Sequence, residues 1–154
     1  MKIMCFEDLD AWKEGRKLVN RIYGMSNRQK FSRDFSLRDQ VRRAAISVTS
    51  NIAEGFDSES KAEFIRFLVY ARRSTSEVKS QLYVAHDQQY ITDRDFQEAY
   101  ELASVVARIT YGLIRVSAAG AGTAKPVIVV SEPRSALLEC ARRTYSITTY
   151  NIQH

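Results

Sequence analysis

Apolar positions along this chain recur every three or four residues in four successive stretches, the period of amphipathic helices. In the first, residues 7–25, the stripe is Leu9, Trp12, Val19 and Ile22. Glu7, Asp8 and Asp10 load its start with acid, as the helix dipole favours, and Gly15 leaves a gap for the close approach of another helix. In the second, residues 36–54, Leu37, Val41, Ala44, Ala45, Val48 and Ile52 share one face. Ser36 with Asp39 reads as its capping pair, and Gly55 stands where a left-handed C-terminal cap belongs. Ser60 and Glu63 form a capping box for the third helix. There Phe64, Leu68, Ala71, Thr75, Val78, Leu82 and Ala85 form a heptad-like seam in a helix predicted to reach Gln89. Thr92 with Asp95 caps the fourth, whose stripe is Phe96, Ala99, Ala103, Val106, Thr110 and Leu113 and whose end is predicted near Ser117.

Four amphipathic helices with mostly short connections predict an all-α fold, an up-down-up-down antiparallel four-helix bundle over residues 1–117. The connection at 26–35 reads as a basic loop holding Arg28, Lys30 and Arg33 around Phe31. The larger core side chains are expected to be Trp12, Phe64, Phe67, Phe96 and the leucines. Residues 118–154 read as a C-terminal extension. It opens with the linker-like 118–124, continues through a β-branched run at 127–130 and a short amphipathic stretch at 134–143, and ends rich in Thr and Tyr.

The net charge of +5 is spread unevenly. Residues 1–36 hold eight Lys/Arg against five Asp/Glu and residues 118–154 hold four against two, while 37–117 balance at eleven each. Such a balance permits contact with an acidic surface without demanding it. The two cysteines, Cys5 and Cys140, form no C-x-x-C pair and read as free thiols of a reducing compartment. Charged sequence follows Met1–Cys5 at once, and no apolar run is read as long enough to span a bilayer. The expectation is a cytoplasmic protein with no membrane partner.

Three segments carry a resemblance to a known family. Phe6-Glu7-Asp8-Leu9 with Trp12 opens the first helix; Gln40, Arg42-Arg43-Ala44, Ser47 and Ser50-Asn51-Ile52-Ala53-Glu54-Gly55 mark the second; Glu63-Phe64, Arg66-Phe67-Leu68, Ala71, Ser74, Glu77 and Gln81-Leu82 mark the third. Over about residues 6–116 the chain resembles the four-helix bundle proteins encoded by intervening sequences within bacterial 23S rRNA genes. That resemblance implies a bundle commonly assembled as a homopentamer, without an established molecular activity. It also implies a kinship in fold with accessory proteins of diversity-generating retroelements, which serve a reverse transcriptase. RNA or a ribonucleoprotein is the partner it suggests.

The residues argue against catalysis. His86 and His154 are the only histidines, no Glu-x-x-His pattern is present, and no phosphate loop, nucleophile elbow or zinc motif occurs. No cofactor and no metal site are expected. Gln40, Arg43, Ser47, Asn51 and Glu54 form a polar seam beside the apolar face of the second helix, expected to fix the register of a subunit interface. Ile46 on the outer side of the same helix fits either a buried contact or a stray surface residue. Glu63, Arg66, Tyr70, Arg73 and Glu77 on the third helix fit either a solvated face or a second subunit contact. For nucleic acid, Lys13, Arg16, Lys17 and Arg21 share one outward stripe of the first helix, and Arg28, Lys30 and Arg33 of the following loop add phosphate contacts, with Phe31 a stacking surface. Two functions follow: an oligomeric accessory that contacts RNA, or a protein-interaction scaffold that does not.

Overall fold

The structure, a computed structural model, describes residues 3–119. A 3-10 turn at Phe6–Asp8 precedes helices α1 (Asp10–Ser26), α2 (Gln29–Arg33), α3 (Phe35–Asp57), α4 (Lys61–Asp87) and α5 (Asp93–Ala119). The four long helices form a bundle, α3 packing against α1 and α4, and α5 against α4 and α1. No strand occurs among the described residues. The predicted extension lies outside them, except that α5 runs on through Ala118 and Ala119, the first two residues of the expected linker.

The stripes of α3 and α4 are buried as the spacing predicts, from Leu37 to Ile52 and from Phe64 to Ala85. On α1 the buried positions are Ala11, Gly15, Leu18, Ile22 and Met25, while Trp12 and Val19 sit at the edge of the core. The buried face is rotated from the expected stripe, sharing with it Leu9 and Ile22. On α5 the stripe is buried from Ala99 to Thr110, and Phe96 and Leu113 are half-buried. Of the aromatic core expected from sequence, Phe64 is fully buried and Trp12, Phe67 and Phe96 flank it. The core forms two clusters. One gathers Leu18, Ile22, Phe31, Val41, Val78 and Leu82, and the other Leu9, Val48, Ile52, Phe56, Phe64 and Leu68.

Two glycines set how closely helices meet. A Cβ on Gly15 would lie 3.0 Å from Thr49 Cγ2 and 3.6 Å from Val48 Cγ1, so α1 approaches α3 at the gap the sequence marked. Gly55 is not a cap. It lies inside α3, which continues to Asp57, and a Cβ there would fall 2.9 Å from Phe67 Cβ. The glycine is required by α4, not by backbone conformation.

The ends of the helices are specified locally. Ser60 Oγ accepts from the Glu63 N–H at 3.2 Å and opens α4 as its capping box predicts. The cap of α3 is Asp34, whose carboxylate accepts from the Leu37 N–H at 3.0 Å, and not the expected Ser36–Asp39 pair. The basic loop contains α2, which inserts Phe31 into the core at 1% exposure, stacked on Tyr90 at 5.5 Å between centroids. That burial overturns the expectation of Phe31 as a stacking surface for bases. Helix α4 ends in a Schellman motif: Gln89 N–H donates to His86 O at 2.8 Å and Tyr90 N–H to Ala85 O at 2.9 Å. The left-handed residue is Gln89, with φ 56°, where glycine is usual.

Cys5 is buried and is not a free thiol, which corrects the free-thiol expectation at that position; Cys140 lies outside the described residues. Helix α5 is long and apolar enough to cross a bilayer by length and composition, contrary to the reading of the sequence. In the fold it is the fourth helix of the bundle.

Gly55→Ala is expected to lower stability by about 1–2 kcal/mol, the helical gain of alanine being outweighed by the clash with Phe67. Gln89→Gly is expected to raise it by about 0.5–1 kcal/mol by relieving a positive φ. Denaturant unfolding of both variants beside the parent checks each sign.

Candidate nucleic-acid interface

The basic stripe of α1 begins at exposed helix positions. Lys13, Arg16 and Lys17 are all exposed. Lys13 Nζ donates to Asp8 O at 2.9 Å and lies 3.5 Å from Asp10, and Lys17 Nζ lies 2.6 Å from Glu14 Oε1. Exposed pairs of this kind are worth only tenths of a kcal/mol and exchange readily for phosphate. Arg16 lies 5.7 Å from the Trp12 ring centroid and has no carboxylate partner among the described residues.

Arg21, the fourth member of the stripe, turns instead toward Asp95 at the start of α5. Asp95 is 5% exposed. It accepts from Arg21 Nη2 at 2.8 Å, Arg28 Nη1 at 2.6 Å, Thr92 N at 3.2 Å and Thr92 Oγ1 at 2.9 Å, while its own N–H donates to Thr92 Oγ1 at 3.2 Å. Arg21 Nη2 also lies 2.7 Å from Glu98 Oε2. One carboxylate therefore caps α5 and ties it to α1 and to the segment entering α2. Burial pushes the Asp95 carboxyl up, but the hydrogen bonds from Thr92 and Arg28 outweigh it, and its pKa lies below the ordinary aspartate value. Glu98 is held below the ordinary glutamate range by the hydrogen bond from Arg94. Sequence spacing identified Asp95 as a cap; its role as the meeting point of two distant arginines has no signal at short range. Lys30 and Arg33 are exposed on α2 and have no ion pair among the described residues.

The polar seam of α3 divides. Asn51 Nδ2 donates to Ser47 O at 2.7 Å and to Ser47 Oγ at 3.0 Å, and Ser74 Oγ donates across to Ser47 Oγ at 3.0 Å. These residues join α3 to α4 within the subunit. Gln40, Arg43 and Glu54 point outward and are exposed. Gln40 lines an open groove of about 560 Å³ between α3 and α4, together with Asp34, Glu77, Ser80 and Gln81. Gln81 is 8% exposed; its Nε2 donates to Glu77 Oε1 at 3.2 Å, and its Oε1 has no partner among the described residues. Arg42 belongs to neither surface. Its Nε donates to Ser26 Oγ at 2.7 Å, its Nη2 to Asn27 Oδ1 at 2.8 Å, and its guanidinium lies over Tyr23, so it clamps the C-terminal end of α1. Ile46 is exposed.

No group of three or more His, Cys, Asp or Glu side chains is placed to hold a metal ion among the described residues. The sequence reading missed one further concentration of charge, Arg72, Lys79 and Arg108 between α4 and α5. Arg72 and Lys79 are seven residues apart on one helix, a spacing that places them on the same face; their meeting with Arg108 needs the pairing of α4 with α5.

Residues 7–112 match the family described as 23S rRNA-intervening sequence protein. A crystal structure from Bacteroides thetaiotaomicron, of a protein of unknown function from the S23 ribosomal protein family, superposes with a TM-score of 0.64 at 20% identity. The match covers 68% of this chain and 95% of that one, and at this identity it shows the fold alone. No curated protein matches the chain.

Asp95→Asn is expected to cost about 1–3 kcal/mol at neutral pH, because two arginines lose their charge partner. Unfolded, the aspartate titrates near 3.8; folded, it keeps its charge to lower pH. Its contribution is therefore complete above about pH 4 and is lost as pH falls through the lower folded value. Thermal melts from neutral to acid pH check this, the Asn variant showing a shallower loss across that window.

Proposed function

This chain belongs to the 23S rRNA-intervening sequence protein family, and from that premise we propose that it is a non-enzymatic, cytoplasmic homo-oligomer, a pentamer, that contacts RNA or a ribonucleoprotein as an accessory. The observation that carries the reading is the outer face of α1, where Lys13, Arg16 and Lys17 stand exposed on one stripe. Self-assembly repeats that stripe around a ring, so modest single contacts with phosphates add as avidity. Arg21 and Arg28 hold the stripe in place through Asp95, and Lys30 and Arg33 extend its charge along α2.

The α3–α4 groove supports the assembly. A nine-tenths-buried glutamine carbonyl without a partner costs about 1–3 kcal/mol, which a donor from a second subunit offsets. Gln40, Arg43 and Glu54 stand exposed on the adjoining α3 to meet that neighbour. The same orphaned carbonyl favours a second reading, a scaffold whose groove receives a different protein and which binds no RNA.

Sedimentation analysis of the parent is expected to give a single species of five chains, and Arg43→Leu with Glu54→Leu, at the outward positions of α3, is expected to shift it to smaller species. Titration with structured ribosomal RNA is expected to show affinity that falls steeply with salt and is lost when Lys13, Arg16 and Lys17 are reversed to Glu. Clean protein with no RNA binding at low salt supports the scaffold instead.

A further inference from the structure

The outer groove between α4 and α5 is lined by Arg72, Lys79, Ser104, Ala107, Arg108 and Tyr111 and encloses about 460 Å³. It lies on a different pair of helices from the basic stripe of α1. Its charges are held by rings. The Arg72 guanidinium sits 5.1 Å from the Tyr111 centroid, and Lys79 Nζ sits 4.7 Å from the Tyr100 centroid. Among the described residues neither Arg72 nor Lys79 has a carboxylate partner, and the one acid that pairs in this groove, Glu101, lies 3.0 Å from exposed Arg108. Lys17, Arg21, Arg28 and Arg94 are matched to acids, whereas Arg16, Lys30 and Arg33 of the α1–α2 face share with Arg72 and Lys79 the lack of a carboxylate partner among the described residues. At the far end of the groove Tyr100 stacks on Phe96 at 5.5 Å, and exposed Tyr83 packs edge-on against both at 4.9 and 6.0 Å.

We infer that this groove is a binding site for single-stranded RNA, distinct from the α1 stripe. Three features select that ligand. The cations without carboxylate partners suit an anion. Arg72 and Lys79 are two helical turns apart, about 10 Å, so they suit a ligand carrying successive phosphates better than one phosphate. Exposed Tyr83 and Tyr111 at the two ends offer ring surface on which bases stack without regard to sequence. The cation–π contacts hold both charged groups in place before the ligand arrives, which reduces the side-chain ordering that binding would otherwise cost.

The inference rests on the RNA reading above, and the test separates the two. The full chain is titrated with a labelled single-stranded RNA oligonucleotide and with a duplex of the same sequence, over a range of salt, by fluorescence anisotropy. The parent is expected to prefer the single strand. Arg72→Gln with Lys79→Gln is expected to weaken it about tenfold or more and to reduce the salt slope by about 1.4, two contacts at about 0.7 each. The charge-reversed α1 variant is expected to keep a single-strand affinity above that of the groove variant. A groove variant that binds like the parent, while the α1 variant loses binding, overturns the groove and leaves the RNA reading standing. A parent that binds no RNA overturns both. Should the double variant fold poorly by circular dichroism, photocrosslinking of the parent decides. Crosslinks at Tyr83 or Tyr111 support the site, and crosslinks confined to α1 overturn it.

Discussion

Close approach between helices is the constraint on which the rest of this bundle depends. Gly15 lets α1 reach Val48 and Thr49 of α3, and Gly55 lets α3 reach Phe67 of α4. Within the two apolar clusters small side chains such as Ala44, Ala45, Ala71 and Ala103 are buried among the larger ones. Packing of this kind fills the interior with backbone and methyl groups at crystal-like density. The open grooves of this bundle lie instead between neighbouring helices, one beside Gln81 and one beside Arg72. Interaction chemistry is thereby displaced to the outer surface.

The ends of the bundle are fixed by a different kind of force. At one end a single buried carboxylate, Asp95, takes hydrogen bonds from Thr92 and from two arginines that come from other parts of the chain. Nearby, Arg42 binds Ser26 and Asn27 and closes the end of α1. A buried charge is costly unless its lone pairs are filled, and here four donors fill them. The same arrangement decides which arginines remain available. Arg21 and Arg28 serve the fold, whereas Lys13, Arg16, Lys17, Lys30 and Arg33 face solvent. A row of basic residues that reads as uniform along the chain is therefore divided by the fold into structural and surface members.

Much of the fold was legible because helical stripes and capping boxes are local. The stripes of α3 and α4, the Ser60–Glu63 box and the Thr92–Asp95 pair are all written within a few residues. Two of the misreadings share one cause. Gly55 reads as a cap until Phe67 is seen against it, and Phe31 reads as an exposed ring until Tyr90 is seen beneath it. Gln89 gives no sign of its left-handed backbone, because the residue that normally announces it is glycine. At Gly55 and Phe31 the deciding atom belongs to a residue distant in sequence, whereas at Gln89 the Schellman hydrogen bonds are local.

By itself the sequence determined the class of fold, the four long helices, the buried stripes of α3 and α4 and the family, since periodicity, caps and motif order depend on neighbours along the chain. Tertiary structure decided which polar groups are paired and which are left over. Ser47 and Asn51 were one seam with Gln40, Arg43 and Glu54 until Ser74 joined the first two to α4. Arg72, Lys79 and Arg108 were three scattered charges until α4 lay beside α5. Hydrogen bonds form only within a few ångströms and ion pairs weaken with separation, and only the folded chain sets those distances.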